Sequence, residues 1–167
     1  MNDVHGVIHI HSCPLALVPQ VEWTLAHVVT SVGPIEWDPQ PVEPGTVRTT
    51  VSWSGGSGIA ARFASALRGW EQTRFEVWES TGTNRDGVRY VHTPHLGIFY
   101  TLTDAAGNAV VGEDRLRYAL DMADGDIAEL ERELSLALGE PWDTELETYR
   151  RAATARIAPL RRKASVV

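Results

Sequence analysis

Residues 46–70 read TVRTTVSWSGGSGIAARFASALRGW and contain three successive patterns. From Thr46 to Trp53, apolar and polar residues mostly alternate, as in a strand that is buried on one face. Ser54–Gly58 is rich in glycine. After it, apolar residues recur at the spacing of a helix face, namely Ile59, Phe63, Ala66, Leu67 and Trp70. The stretch therefore predicts a strand, a glycine loop and a helix that ends at Trp70.

Similar patterns extend to both sides of this stretch. A strand is predicted at 4–11 (VHGVIHIH), a helix from Pro19 to Val32, a short strand at 35–37 and another strand at 74–79. The order strand, helix, strand, strand, helix, strand is that of the ferredoxin-like βαββαβ fold. We therefore predict an α+β protein with sheet order 4-1-3-2, in which strands 1 and 3 are parallel neighbours.

The rest of the chain adds to this core of residues 1–80. Residues 87–111 predict an added β-hairpin and a short strand, 113–156 predict a helical extension, and 157–167 form a basic tail. One apolar seam runs along the predicted helices: Leu116, Leu120, Ala123, Ile127, Leu130, Leu134 and Leu138. A length of 167 residues fits one domain, 1–167.

Charge is unevenly distributed along the sequence. The net charge is −7, but residues 150–167 carry six positive charges and no acid, which leaves −13 on the preceding residues. The net negative charge of residues 1–149 argues against nucleic acid as the main partner, since phosphate binding needs a basic face. Fourteen of the fifteen basic side chains are arginine, a bias typical of a GC-rich genome.

The sequence also bears on the compartment in which the protein works. A single cysteine, Cys13, allows no intrachain disulfide, and this fits a reducing environment. The N-terminus lacks the basic and apolar regions of a signal peptide, and no stretch has the ~18 apolar residues of a membrane span. We expect a cytoplasmic protein with no membrane partner.

Several stretches resemble one actinobacterial family, domain of unknown function 3145. They are VEW (21–23), EWDPQPVEPGTVR (36–48), ASALRGWEQTRFEVWE (64–79), VRYVHTPHLGIF (88–99), EDRLRYAL (113–120) and WDTELETYR (142–150). The resemblance covers nearly the whole chain. It implies an actinobacterial cytosolic protein, and it implies no activity.

A candidate anion site follows from the predicted sheet. If strands 1 and 3 are parallel, their carboxyl ends meet at one edge, where the second helix also begins. This edge would hold His11, Arg74 and the loop Ser54, Gly55, Gly56, Ser57 and Gly58. The other interpretation of the loop is a tight turn that needs glycine. The loop matches a dinucleotide fingerprint only partly, and we predict no cofactor.

Two further groups of residues are candidates, one for a metal site and one for a partner surface. His9, His11 and Cys13 alternate and could share one face, but three ligands within five residues do not close a structural metal site, and no metal is predicted. Trp23 and His27 lie on the polar side of the first helix. Either the C-terminal helices cover this pair, or the pair is a surface for a protein partner.

No catalytic motif stands out, so the leading hypothesis is a non-catalytic binding or regulatory module. Its partner would be an unidentified protein or a small anionic ligand. The alternative is a small enzyme that acts on a phosphate- or CoA-bearing substrate at the glycine loop. In that enzyme His11 would be the catalytic acid or base.

Overall fold

The computed structural model describes residues 4–29, 34–80 and 86–154, and within them the chain forms one antiparallel sheet and five α-helices. The strands are β1 (Val4–Pro14), β2 (Asp38–Pro39), β3 (Thr46–Gly55), β4 (Arg74–Ser80), β5 (Gly87–Thr93), β6 (Gly97–Thr103) and β7 (Ala109–Val110). The helices are α1 (Val18–Val28), α2 (Ile59–Leu67), α3 (Glu113–Ala123), α4 (Ile127–Leu138) and α5 (Glu140–Thr154). The α+β prediction is confirmed. The predicted basic tail, 157–167, lies outside the described residues.

The seven strands are ordered β2-β3-β1-β4-β5-β6-β7 in the part of the chain that the structure describes. The first four have the predicted order 4-1-3-2, but β1 and β3 are antiparallel: Val4 lies opposite Gly55, and Pro14 lies opposite Thr46. The prediction of parallel neighbours was therefore wrong. The crossover through α1 leaves β2 parallel to β1, and the turn after β2 then reverses the chain, so β3 must run against β1.

One face of the sheet, called the helix face below, is covered by α1 and α2. Ile8 and Ile10 of β1 and Phe75 and Val77 of β4 are almost wholly buried there. The helices contribute Val21, Leu25, Ile59, Phe63 and Leu67 to the same core. Alternation in the strands and three- to four-residue spacing in the helices place these residues inward, as predicted.

Both helices on this face end earlier than predicted. α1 stops at Val28 rather than Val32, because Val29 already has extended backbone angles (φ −116°, ψ 137°). Residues 30–33 lie outside the described part. α2 ends at Leu67, and Trp70 packs against the core from the turn that follows.

The opposite face, called the cleft face, is covered only in part, by α5. Leu146 of α5 is fully buried with Val91 of β5 and Phe99 of β6. Gly139, between α4 and α5, has a φ of 80°, and a Cβ there would lie 2.5 Å from the Phe99 ring. Glycine is thus required both by the turn and by the close approach of the helix junction to β6.

The register around Gly6 gives a first prediction. A Cβ at Gly6 would lie 2.1 Å from Trp53 Cζ2 and 2.4 Å from the Trp78 carbonyl oxygen. Gly6→Ala should therefore lower the free energy of unfolding by about 1–3 kcal/mol, measured by urea denaturation. Gly56→Ala is the control, because nothing lies within 4 Å of a Cβ there, and it should change stability by less than about 0.5 kcal/mol. Equal losses in the two variants would contradict the register.

Candidate functional site

The predicted glycine edge does not come together as a site. His11 and Arg74 do lie at the same end of the sheet, since Ser12 is paired with Arg74. Gly55 is paired with Val4, at the opposite end of β1. The loop Ser54–Gly58 is therefore a strand length away from His11, because β1 and β3 are antiparallel rather than parallel.

The loop amides already bond to a carboxylate of this chain. The backbone N–H groups of Gly58 and Ala60 donate to Glu79 Oε1 and Oε2, at 2.8 Å and 2.7 Å. Glu79 is buried at the end of β4. The start of α2 does attract an anion, as helix N-termini do, and here that anion is Glu79.

Arg74 also has internal partners. Its Nη1 donates to Glu43 Oε2 at 2.9 Å, and its Nε donates to Glu145 Oε1 of α5 at 3.2 Å. The guanidinium lies 4.7 Å from the centre of the Tyr149 ring, and it is largely buried. Arg74 thus joins β4 to α5 and to the turn before β3.

A second charged group, the Glu76 cluster, lies on the cleft face under α5. It consists of Glu76 (β4), His11 (β1), Arg89 (β5), and Asp143 and Arg150 (α5). Glu76 Oε1 accepts hydrogen bonds from His11 Nε2 at 2.7 Å and from Arg150 Nε at 2.9 Å. Glu76 Oε2 accepts from Arg89 Nη2 at 2.8 Å. Because a carboxylate only accepts, His11 carries its proton on Nε2.

The charges in this cluster stabilise one another. Burial alone would raise the pKa of Glu76, but the hydrogen bond and charge of His11, together with Arg150 and Arg89, lower it far below its usual value. Burial would also raise the pKa of Asp143, and its hydrogen bonds from Arg89 and Arg150 lower it. Both acids are therefore ionised at neutral pH and fully engaged with cations.

An open cleft of about 950 Å³ lies beside the cluster. Its walls come from β1, β3, β4, β5, β2 with the segment before it, and α5. The charged and aromatic residues that line it are His9, His11, Glu36, Asp38, Arg48, Glu76, Trp78, Arg89, Asp143 and Arg150. Burial lowers the pKa of His9, so its ring is neutral at pH 7.

Three buried side-chain nitrogens in the described residues have no hydrogen-bond partner, and two of them belong to arginines of this cleft. They are Arg48 Nη1 and Arg89 Nε. A buried polar group without a partner costs about 1–3 kcal/mol. Arg89 has two carboxylate partners through its other nitrogens, whereas Arg48 lies on β3, across from Asp38, at the rim of the cluster.

Cys13 does not share a face with His9 and His11. A β-bulge between Ile10 and Cys13 shifts the alternation of β1 and turns Cys13 into the helix-face core. Burial raises the pKa of its thiol to about 11, so Cys13 is protonated at neutral pH. Among residues 4–29, 34–80 and 86–154, no three potential metal ligands come together.

Trp23 and His27 are exposed to solvent. The Trp23 side chain is 64% exposed, its ring is 3.9 Å from that of His27, and His27 Nδ1 donates to the Trp23 carbonyl oxygen at 2.7 Å. The prediction that the C-terminal helices might cover this pair was wrong, because α5 lies on the opposite face of the sheet. A protein-partner role for the pair stays a prediction.

The residues of the Glu76 cluster other than His11, and Arg48, were not singled out from the sequence. A signal was nevertheless present. His9, His11, Glu76 and Arg89 all occupy the outward positions of alternating strands, so pairing those strands collects their charges on one face. The contribution of α5 carries no comparable signal, because Arg150 is 74 residues away from Glu76.

The fold and the cleft define a class: an α+β protein with a charged cleft on the partly covered face of its sheet. Residues 7–162 match the family model described as protein of unknown function (DUF3145), and the chain belongs to that family. No curated protein and no solved structure matches the chain. None of the helices in the described residues is long and apolar enough to cross a membrane.

The ionised state of Glu76 predicts a specific pH dependence. Because its pKa is lowered on folding, Glu76 stabilises the fold fully above the usual value of 4.5, and this contribution is lost as the pH falls further. Glu76→Gln should lower the free energy of unfolding at pH 7 by about 3–5 kcal/mol. Below pH 4.5 its stability should fall less steeply than that of the unmodified protein.

The control for this prediction is Glu71→Gln, because Glu71 is exposed. Urea denaturation between pH 3 and pH 7 measures all three proteins. The Glu71 variant should follow the unmodified protein at every pH. If the free energy of unfolding changes with pH in the same way for the Glu76 variant and the unmodified protein, Glu76 does not control the loss of stability in acid.

Proposed function

We propose that this protein is a non-catalytic binding or regulatory module that takes a small anionic ligand in the cleft beside the Glu76 cluster. The observation that carries the proposal is Arg48, whose buried Nη1 has no acceptor in the described part of the chain and whose side chain lines the cleft. An anionic group of a ligand would supply that acceptor, and a charge-assisted hydrogen bond would form.

The shape and composition of the cleft support this proposal. About 950 Å³ is within the range of small-molecule sites, roughly 300–1,000 Å³. Trp78 provides an aromatic wall, and Arg48, His9 and Arg150 provide polar groups on neighbouring walls. Most residues that line the cleft are charged or polar, and polar groups in fixed positions orient a small ligand.

The internal bonding of the cluster supports binding rather than catalysis. Glu76 is held ionised by three cationic or donor groups, so it is a poor acceptor of a proton from a substrate. His11 uses Nε2 to bond Glu76. Cys13 faces the core on the other side of the sheet and stays a thiol, so a Cys–His nucleophile pair is not formed.

The alternative enzyme at the glycine loop has less support. His11 is at the other end of β1, and Glu79 bonds the amides of Gly58 and Ala60 that a phosphate group would need. An enzyme on this fold would have to use the cleft instead. The same ligand would then be expected to turn over.

Three further proposals concern the fold group, the origin and the cellular location of the protein. We group residues 4–80 with ferredoxin-like proteins, on the strand order and on the two helices that share one face. We propose an actinobacterial origin from the predominance of arginine over lysine and from the sequence resemblance. The single cysteine supports a cytoplasmic location.

A titration tests the ligand proposal. Inorganic phosphate, pyrophosphate and CoA are added to the ¹⁵N-labelled protein, and amide shifts are followed. At least one probe should change the amide chemical shifts of residues 9–11, 48–50 and 150. Arg48→Ala should weaken that binding by about tenfold or more, since a hydrogen bond to a charged group contributes about 1.5–3 kcal/mol.

Arg62→Ala is the matched control, because Arg62 is exposed on α2, on the other side of the sheet, and it should leave affinity unchanged. Shifts confined to residues 54–59 would favour the glycine loop instead. No shifts up to millimolar concentration would refute the ligand proposal. Turnover of a bound probe that is lost in His11→Ala would refute the non-catalytic part alone.

A further inference from the structure

Helices α3 and α4 form a hairpin whose apolar stripe is open to solvent. Leu116, Leu120, Ile127 and Leu138 are 41%, 60%, 73% and 40% exposed. Together with the half-buried Leu130 and Leu134 they are the leucines and isoleucine of the seam expected from the sequence. A soluble domain rarely leaves such a continuous row uncovered unless the row is an interaction site.

The two rows of the stripe lie on the same side of the hairpin. Ala119 and Ala123 of α3 are buried, and Glu133 of α4 is buried where it accepts a hydrogen bond from Arg115 Nη2 at 3.0 Å, so these residues mark the facing surfaces. At about 100° per residue, the leucines of α3 are turned about a sixth of a turn from those surfaces, and the apolar row of α4 is turned about a quarter to a third of a turn in the same sense. Because a three-residue connection makes the helices antiparallel, both rows turn to one side.

The hairpin also has a strong negative charge. Residues 113–138 contain eight acids and three arginines, a net charge of −5 out of −7 for the chain. All three arginines already pair with glutamates of the hairpin: Arg115 with Glu133, Arg117 with Glu113, and Arg132 with Glu129 and Glu133.

Two carboxylates beside the stripe have no ion pair among the described residues. Asp124 follows Leu120 by four residues, and Glu131 follows Ile127 by four residues, so each lies next to an exposed apolar side chain. The stripe is therefore an apolar row bordered by free negative charge. A matching surface would be apolar along one line and basic beside it.

We propose that the α3–α4 hairpin binds a basic amphipathic helix of a partner protein along this stripe. The apolar face of such a helix would cover Leu116, Leu120 and Ile127, and its lysines or arginines would reach Asp124 and Glu131. Charge complementarity selects this occupant over a second copy of the chain, because two hairpins of −5 each would repel one another.

Binding of a designed probe tests the proposal on the full chain. The probe is a fluorescent 18-residue peptide with leucine at helical i, i+3, i+4 and i+7 spacing and lysine elsewhere, and the matched peptide has glutamate in place of lysine. Fluorescence anisotropy should show binding of the lysine peptide alone, weakening as salt rises. The double substitution Leu120→Ser and Ile127→Ser should weaken binding more than about tenfold.

Leu15→Ser is the control, because Leu15 is as exposed as Leu120 but lies outside the hairpin, and it should leave the affinity unchanged. Asp124→Asn with Glu131→Gln should reduce the dependence on salt. The proposal is wrong if no binding occurs up to millimolar peptide, if both peptides bind alike, or if the double serine variant binds as tightly as the unmodified protein.

Two other results would assign the stripe to a different occupant and overturn the proposal. A dimer in light scattering that the double serine variant dissociates would identify a second copy of the chain. Tighter peptide binding in Arg161→Gln with Arg162→Gln would identify competition by the C-terminal segment of the chain itself.

Discussion

The buried carboxylate of Glu76 is the constraint on which the arrangement of the cleft face depends. A carboxylate at this depth is tolerated only with hydrogen-bond donors or cations as partners, and its partners come from three separate elements: His11 of β1, Arg89 of β5 and Arg150 of α5. The apolar contact of α5 with the sheet comes from Leu146, which is fully buried, and from Tyr149 and Trp142, of which Trp142 packs on Phe99. The position of α5 is fixed by these contacts together with the bonds of Arg150 to Glu76 and the similar bridge from Arg74 to Glu145.

This constraint also determines the character of the cleft. Glu76 and Asp143 neutralise Arg89 and Arg150 at the base of the cleft, and these ion pairs connect β4, β5 and α5. In the binding mode proposed above, a ligand would meet Arg48 with its unpartnered nitrogen, the neutral ring of His9, Trp78 and the outer side of Arg150. A fixed set of this kind suits selective binding, because little reorganisation is needed when a ligand arrives.

Much of the fold could be predicted from local patterns, whereas for the candidate site these patterns could group only the side chains that lie on the strands. Phe75 and Val77 were placed inward from alternation, and the order of the first four strands followed from the order of elements along the chain. The direction of β3 relative to β1 was predicted wrongly, and that one error moved the glycine loop next to His11. His11 and Arg89 share a face with Glu76 by strand alternation, but its third partner, Arg150, depends on which face α5 covers, and the amphipathic pattern of α5 is compatible with either face. The bond of Glu79 to the start of α2 could not be predicted either, because it depends on the antiparallel packing of β4 beside β1.

The helix α5 connects the cleft with the α3–α4 hairpin. Its second half supplies Arg150 and Ala153 to the cleft, and its start follows α4 directly at Gly139, where the backbone is pressed against Phe99. If the proposed ligand contacts Arg150 without breaking its bonds to Glu76, any small shift of the second half of α5 would reach α4 through the junction at Gly139, which lies against Phe99. Any resulting movement of the hairpin would change its affinity for a partner, and by thermodynamic linkage the partner would change the affinity for the ligand by the same factor. Taken together, the two proposals describe a chain that reports the level of a small anion through a protein contact.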